Sequence, residues 1–211
     1  MGKLIFQEGR RYTFSDYFEL SNPTEEIAEA LGYSFATKAL QLPTASSVER
    51  VHIAAMRQLL YDILPKIALT SEIAKRDFMI APVLWEVIRH AQAKIFVEYP
   101  IAVDDKLSGS FDYLLCSRQQ LVVIEAKKGD LERGFSQLAA ELIALDRQET
   151  EQSGHCAEMA MLYGAVSMGE LWRFAVLDRT QKHLCKDLHT YRVPEDIEDI
   201  FLILLGMLQA D

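Results

Sequence analysis

The sequence predicts an α/β fold, a central mixed β-sheet flanked by helices, on three observations. Half of the 211 residues are hydrophobic, enough to bury a full core in one domain. Short apolar, β-branched or aromatic runs bounded by turn residues mark strands at 94–103, 111–116, 121–126, 161–168 and 171–177. Apolar residues recurring at helical spacing mark helices among and after them, through Leu131, Phe135, Leu138, Leu142 and Leu145 and again through Ile197, Ile200, Phe201, Leu204, Leu205 and Leu208.

Taken in order, residues 3–7 and 11–14 read as two strand-like pieces around Glu8-Gly9-Arg10, a small hairpin. Asn22-Pro23-Thr24-Glu25 supplies an N-cap, a proline at the first helical position and acids in the first turn, so a helix runs to about Leu31 before Gly32. Residues 40–43 form an extended link. Ser46 with Glu49 makes a capping box for a helix through Val51, Ala55, Leu59 and Ile63 that ends at Pro65. Residues 1–70 carry no recognisable chemistry and form a mainly helical N-terminal elaboration of a core spanning 71–211, the whole being a single domain.

Residues 71–76 make a short helical turn, and Ala81-Pro82 opens a helix whose Val83, Leu84, Val87 and Ile88 face the core while Glu86 interrupts the apolar set. In the strand at 94–103, Ile95, Val97, Tyr99 and Ile101 share one face and Glu98, a weaker site candidate, takes the other. Pro100 marks that strand as an edge or bulge. Gln137 falls beside Leu138, at the margin of its helix's buried stripe. Residues 148–155 read as a loop, 178–182 as a turn and 190–193 as a last strand, and Pro194-Glu195-Asp196 begins the final helix, which covers a sheet face or a dimer partner.

The chemistry is expected between Ser108 and Lys128. Polar residues 118–120 turn the chain, so the strands on either side form an antiparallel hairpin. Ser110, Asp112 and Leu114 alternate onto one face, as do Val123, Glu125 and Lys127. Asp112 then lies opposite or diagonal to Glu125 and Lys127. Two carboxylates at such a distance repel, and a hydrated divalent cation relieves the repulsion while the ammonium holds a water. Oxygen ligands favour magnesium or manganese, and the reaction class is metal-assisted phosphodiester hydrolysis. A lone ExK triplet would otherwise be a solvated strand-end pair.

Gly109 and Asp112, then thirteen residues to Glu125-Ala126-Lys127, then ten to Gln137, is an order that resembles the PD-(D/E)XK nuclease superfamily. The Ile124-Glu125-Ala126-Lys127-Lys128 run followed by a helix bearing glutamine is similar to the RecB-like nucleases and the nuclease domain of type I restriction motor subunits. The resemblance implies a restriction-endonuclease-like core, with Asp112 and Glu125 as metal ligands and the Ala126 main-chain carbonyl as a third. It implies that Lys127 orients or activates the attacking water and that Gln137 closes the site. Glu86 resembles the acid that the preceding helix supplies to such sites; as a structural residue it would lie on the polar side of an amphipathic helix. Phe111 stands where the superfamily pattern has proline, and Glu141 where the RecB-like QxxxY pattern has tyrosine.

Net charge is −9 and pI about 5.1, which argues against a generally basic nucleic-acid surface. Positive charge near the site would come from Lys127, Lys128, Arg133, Arg89 and Lys94, or from a partner protein supplying DNA affinity. Cys116, Cys156 and Cys185 are odd in number and widely spaced, and His155-Cys156 lacks the companions a metal site needs, so neither a disulfide framework nor zinc is expected. With no run of membrane-spanning length, the expectation is a soluble cytoplasmic protein, without membrane contact and capable of homodimerising through its final helix. The leading function is a magnesium-dependent deoxyribonuclease. The alternatives are a nuclease-fold DNA-binding or assembly protein without cleavage, and a scaffold in which the acids form a structural ion network.

Overall fold

The computed structural model describes residues 5–46, 50–117, 121–126, 129–148 and 159–209. In chain order these form α1 (Phe14–Glu19), α2 (Thr24–Ala30), β1 (Ser34–Lys38), α3 (Arg50–Ile63), α4 (Glu72–Lys75), α5 (Ala81–His90), β2 (Lys94–Ala102), β3 (Ser108–Cys116), β4 (Leu121–Ala126), α6 (Leu131–Arg147), β5 (Met161–Ser167), β6 (Leu171–Asp178), β7 (His183–Asp187), β8 (Tyr191–Arg192) and α7 (Ile197–Gln209). One mixed sheet runs β1-β7-β6-β5-β4-β3-β2, with β8 paired to β6. The β2-β3 and β3-β4 pairs are antiparallel and β4-β5 is parallel, so α6 serves as the crossover between β4 and β5.

Helices cover both faces of the sheet and divide the core in two. On one face α1, α2 and α6 bury Phe14, Tyr17, Ile27, Phe135 and Leu142. On the other, α3, α5 and α7 bury Leu60, Val83, Val87, Phe201 and Leu204, with Trp172 and Phe174 of β6. The apolar stripe of α7 is thus consumed inside the chain, since Ile200, Phe201, Leu204 and Leu208 are all at most 2% exposed. Of the two roles expected for this helix, covering a sheet face or a dimer partner, the structure shows the first.

One expectation is corrected. Among the described residues, 5–7 and 11–14 form no hairpin, because the Thr13 backbone N–H and hydroxyl both donate to the Asp16 carboxylate, at 2.7 and 2.8 Å, and start α1 instead. Only a single bridge, Thr13 to Ser108, joins this segment to the sheet among the described residues. The mainly helical N-terminal elaboration also contributes a strand, β1, which pairs in parallel with β7 from Ser34 opposite His183 to Lys38 opposite Asp187. β7 itself was not foreseen; both strands span only five residues, too few for alternation to stand out. Residues 47–49 of the expected capping box lie outside the described residues.

Two consequences for stability follow. The Thr13 backbone and side-chain hydrogen bonds hold the Asp16 carboxyl below its ordinary pKa of 3.8, so its contribution is present above that value and is lost as pH falls through the lowered folded-state pKa. Asp16→Ala is expected to cost about 1 kcal/mol at neutral pH, and the gap from the parent should narrow progressively below about pH 4 in urea titrations. In α7, a Cβ on Gly206 would lie 2.6 Å from the backbone carbon and oxygen of Pro43 and from the nitrogen of Thr44. Residues 43–45 are held there, with the Ala45 N–H donating to the Leu202 carbonyl at 3.0 Å. Gly206→Ala must therefore displace main chain, and a loss of roughly 1–3 kcal/mol in the same titration is expected.

Candidate functional site

β3 and β4 pair from Cys116 opposite Leu121 up to Tyr113 opposite Ile124. One further step in that register brings Asp112 and Glu125 across from each other. There the strands part: β4 goes on pairing with β5, Glu125 opposite Val166 and Ala126 opposite Ser167. Asp112 and Glu125 thus take neighbouring register positions at a fork in the sheet. The side chain of Glu125 and the whole of Lys127 lie outside the described residues.

On its other side Asp112 meets β2, between the pairs Val97 opposite Tyr113 and Tyr99 opposite Phe111. The residue at that step is Glu98, whose φ of 53° lies in the left-handed region that a glutamate rarely adopts. Both strands change faces here. Phe111 packs into the α6-side core while Tyr113 packs into the α5–α7 side, although residues two apart normally share a face. Ile95 and Ile101 of β2 are likewise divided between the two cores, and Val97 is 55% exposed. The expected alternation along Ile95, Val97, Tyr99 and Ile101, and along Ser110, Asp112 and Leu114, is corrected accordingly: a left-handed residue turns the paired strands at one step. Pro100 does lie on an edge strand, as its missing N–H requires.

The Asp112 carboxylate is 17% exposed and 3.5 Å from Nη1 of Arg76; the same nitrogen is 3.7 Å from Glu98 Oε1. Arg76 begins a wide turn, Arg76–Ile80, between α4 and α5, and its guanidinium carbon lies 5.3 Å from the Tyr113 ring centre. Burial alone would lower its pKa, but the hydrogen bond to Tyr113 and the charges of Asp112 and Glu98 outweigh burial and raise it. Arg76 was not among the expected site residues, because a lone arginine at the end of a polar turn has no periodic or motif signature.

The remaining expected residues are placed differently from one another. Glu86 is held along its own helix, its Oε1 at 3.4 Å from Arg89 and 3.5 Å from His90. No described contact joins it to Asp112. Gln137 is buried at 3% exposure rather than at a margin, because α1 and α2 cover the outer side of α6 and bury every residue from Gly134 to Leu145. Its Nε2 donates to Glu141 Oε1 at 2.9 Å, so the acid four residues on is the glutamine's own partner. Gln137 Oε1 is buried with no hydrogen-bond partner among the described residues.

A cavity of about 410 Å³ lies elsewhere, between the start of α2 and the first turns of α6. Its polar lining is largely committed: Thr24 and Ser136 share a hydrogen bond at 3.0 Å, and Lys186 is paired with Glu132. Among the described residues no group of three metal-ligating side chains occurs. Asp112 with Glu98 offers two acid groups for a hard cation, and the position of Glu125 across the fork is compatible with a third. No helix among the described residues is long and apolar enough to cross a membrane. Set against protein-family models, curated proteins and solved structures, the chain matches none.

Proposed function

We propose that the chain is a divalent-metal-dependent nuclease of the restriction-endonuclease-like kind, hydrolysing DNA phosphodiester bonds through Asp112, Glu125 and Lys127. The observation that carries this reading is the fork: the register of the β3-β4 ladder runs out one step before Asp112 and Glu125, on adjacent strands of a helix-flanked mixed sheet. Residues at a fork are released from the ladder on one side, which leaves room for a cation and a phosphate between them. The left-handed backbone at Glu98, at the adjoining step, adds support, since such conformations in non-glycine residues collect at functional sites.

Magnesium or manganese would be held by Asp112 and Glu125 with the Ala126 carbonyl, and when bound supplies charge to polarise the phosphate and acidify a water. Lys127 orients that water or steadies charge on the phosphate. Gln137 would close the site from α6, and Glu141 holds its side chain. Glu86 has the weaker claim, being engaged by Arg89 and His90. The test is a cleavage assay with magnesium and with manganese on linear, nicked, branched and single-stranded DNA. Hydrolysis of any of these supports the reading; binding without cleavage under either metal overturns it.

One observation favours a second reading. Arg76 already supplies a cation to Asp112, and a site neutralised by a guanidinium has less need of a metal. That arrangement suits a DNA-binding or assembly protein built on a nuclease fold, and the same assay separates the two.

A further inference from the structure

The carboxylates of Asp112 and Glu98 stand at one step of the β2-β3 pair, and the group facing both is the Arg76 guanidinium, at 3.5 and 3.7 Å. Arg76 is only 17% exposed, as is Asp112, whereas Glu98 is 71% exposed. A pair of acids this close needs positive charge in either state of the protein. Arg76 is a source that the fold itself provides among the described residues. It is carried on the opening residue of the wide turn Arg76–Ile80 rather than on a regular helix, and wide turns of this type recur at functional sites. Its stacking near Tyr113 supplies a seat that does not depend on the acids.

Resting on the nuclease reading, we infer that Arg76 is the resident counter-charge of the metal-free site and that a divalent ion must displace it from Asp112 to bind. A guanidinium and a divalent ion held on one carboxylate repel each other and share its charge, so arginine and metal compete for Asp112. Linkage makes the competition reciprocal: by whatever factor the metal weakens the hold of Asp112 on Arg76, Arg76 weakens metal binding by the same factor. Arg76 is therefore a positioning residue with a measurable cost to metal affinity, unlike an arginine that merely buttresses the sheet.

The test has two readouts, neither of which needs catalysis. Manganese affinity is measured by calorimetry on the parent and on Arg76→Gln, and the Arg76 Nε–H resonance of the parent is followed by NMR during a magnesium titration. The expected result is a gain in affinity in Arg76→Gln, within about 5- to 150-fold as for other coupled sites, and a saturable shift of the Arg76 signal. Equal affinity in both proteins with an unmoved signal overturns the displacement while leaving the metal site standing. Weaker binding in Arg76→Gln overturns it in favour of a buttressing role. Absence of metal binding in both proteins, with an unmoved signal, overturns the displacement and the nuclease reading together. Should Arg76→Gln fail to fold, the parent titration decides alone: a saturable shift supports displacement and a static signal overturns it.

Discussion

Lys127→Ala is expected to lower the rate of DNA hydrolysis on the order of a hundredfold or more while leaving metal affinity nearly intact. The lysine follows Glu125 by two positions, the spacing that returns a strand side chain to the same face. On the proposed nuclease reading its charge acts on a water or on the developing phosphate charge, and it is not itself a metal ligand, since an ammonium offers only donors. Lys127→Arg should also be poor, because a planar guanidinium cannot place a compact point charge at the same spot. The measurement is single-turnover cleavage alongside calorimetry, on proteins shown to be folded and with DNA binding determined separately. Parental cleavage by Lys127→Ala would return the lysine to a solvated strand-end charge.

What the sequence discloses of this fold follows from the range of each signal. Local signals were sufficient where the structure is local: the Pro82 helix start, the α6 and α7 periodicities and the β3-β4 pairing appear where their residues place them, while the helix after Asn22 begins one residue later than expected, with Pro23 itself at the N-cap. Pairing across long separations left no such trace. β1 joins β7 nearly 150 residues away, and only the tertiary partner makes a strand of either five-residue segment. Burial went the same way. Helical periodicity put Gln137 at a margin because it assumes one buried face, whereas α1 and α2 close over α6 and bury its other side too. At the site, adjacency of Asp112 and Glu125 was legible from hairpin register, but the face change at Glu98 was not. A left-handed glutamate has no sequence signature, and with it went any means of foreseeing that Arg76 would reach Asp112.

Asp112→Asn should lose metal affinity and cleavage together, which separates it from Lys127→Ala. Asparagine keeps the shape and an acceptor oxygen toward Arg76, so the substitution removes charge without stranding a guanidinium that is only 17% exposed. Alanine would do both, and a fall in activity could then reflect a disturbed sheet. A metal ion stabilises the transition state by several kcal/mol, and at about 1.4 kcal/mol per tenfold the loss in rate is roughly a hundredfold or greater. Glu98→Gln supplies the internal comparison. Its carboxylate is 71% exposed and reaches the same arginine, yet it lies on β2, on the far side of Asp112 from the fork. If the metal sits between β3 and β4, Glu98→Gln leaves affinity within a few-fold of the parent while Asp112→Asn and Glu125→Gln each abolish it. Were Glu98→Gln and Asp112→Asn the damaging pair, with Glu125→Gln silent, the acids that matter would be those facing Arg76, and the site would lie across β2 and β3 instead of at the fork. Parental metal binding in Asp112→Asn would remove the aspartate from either arrangement.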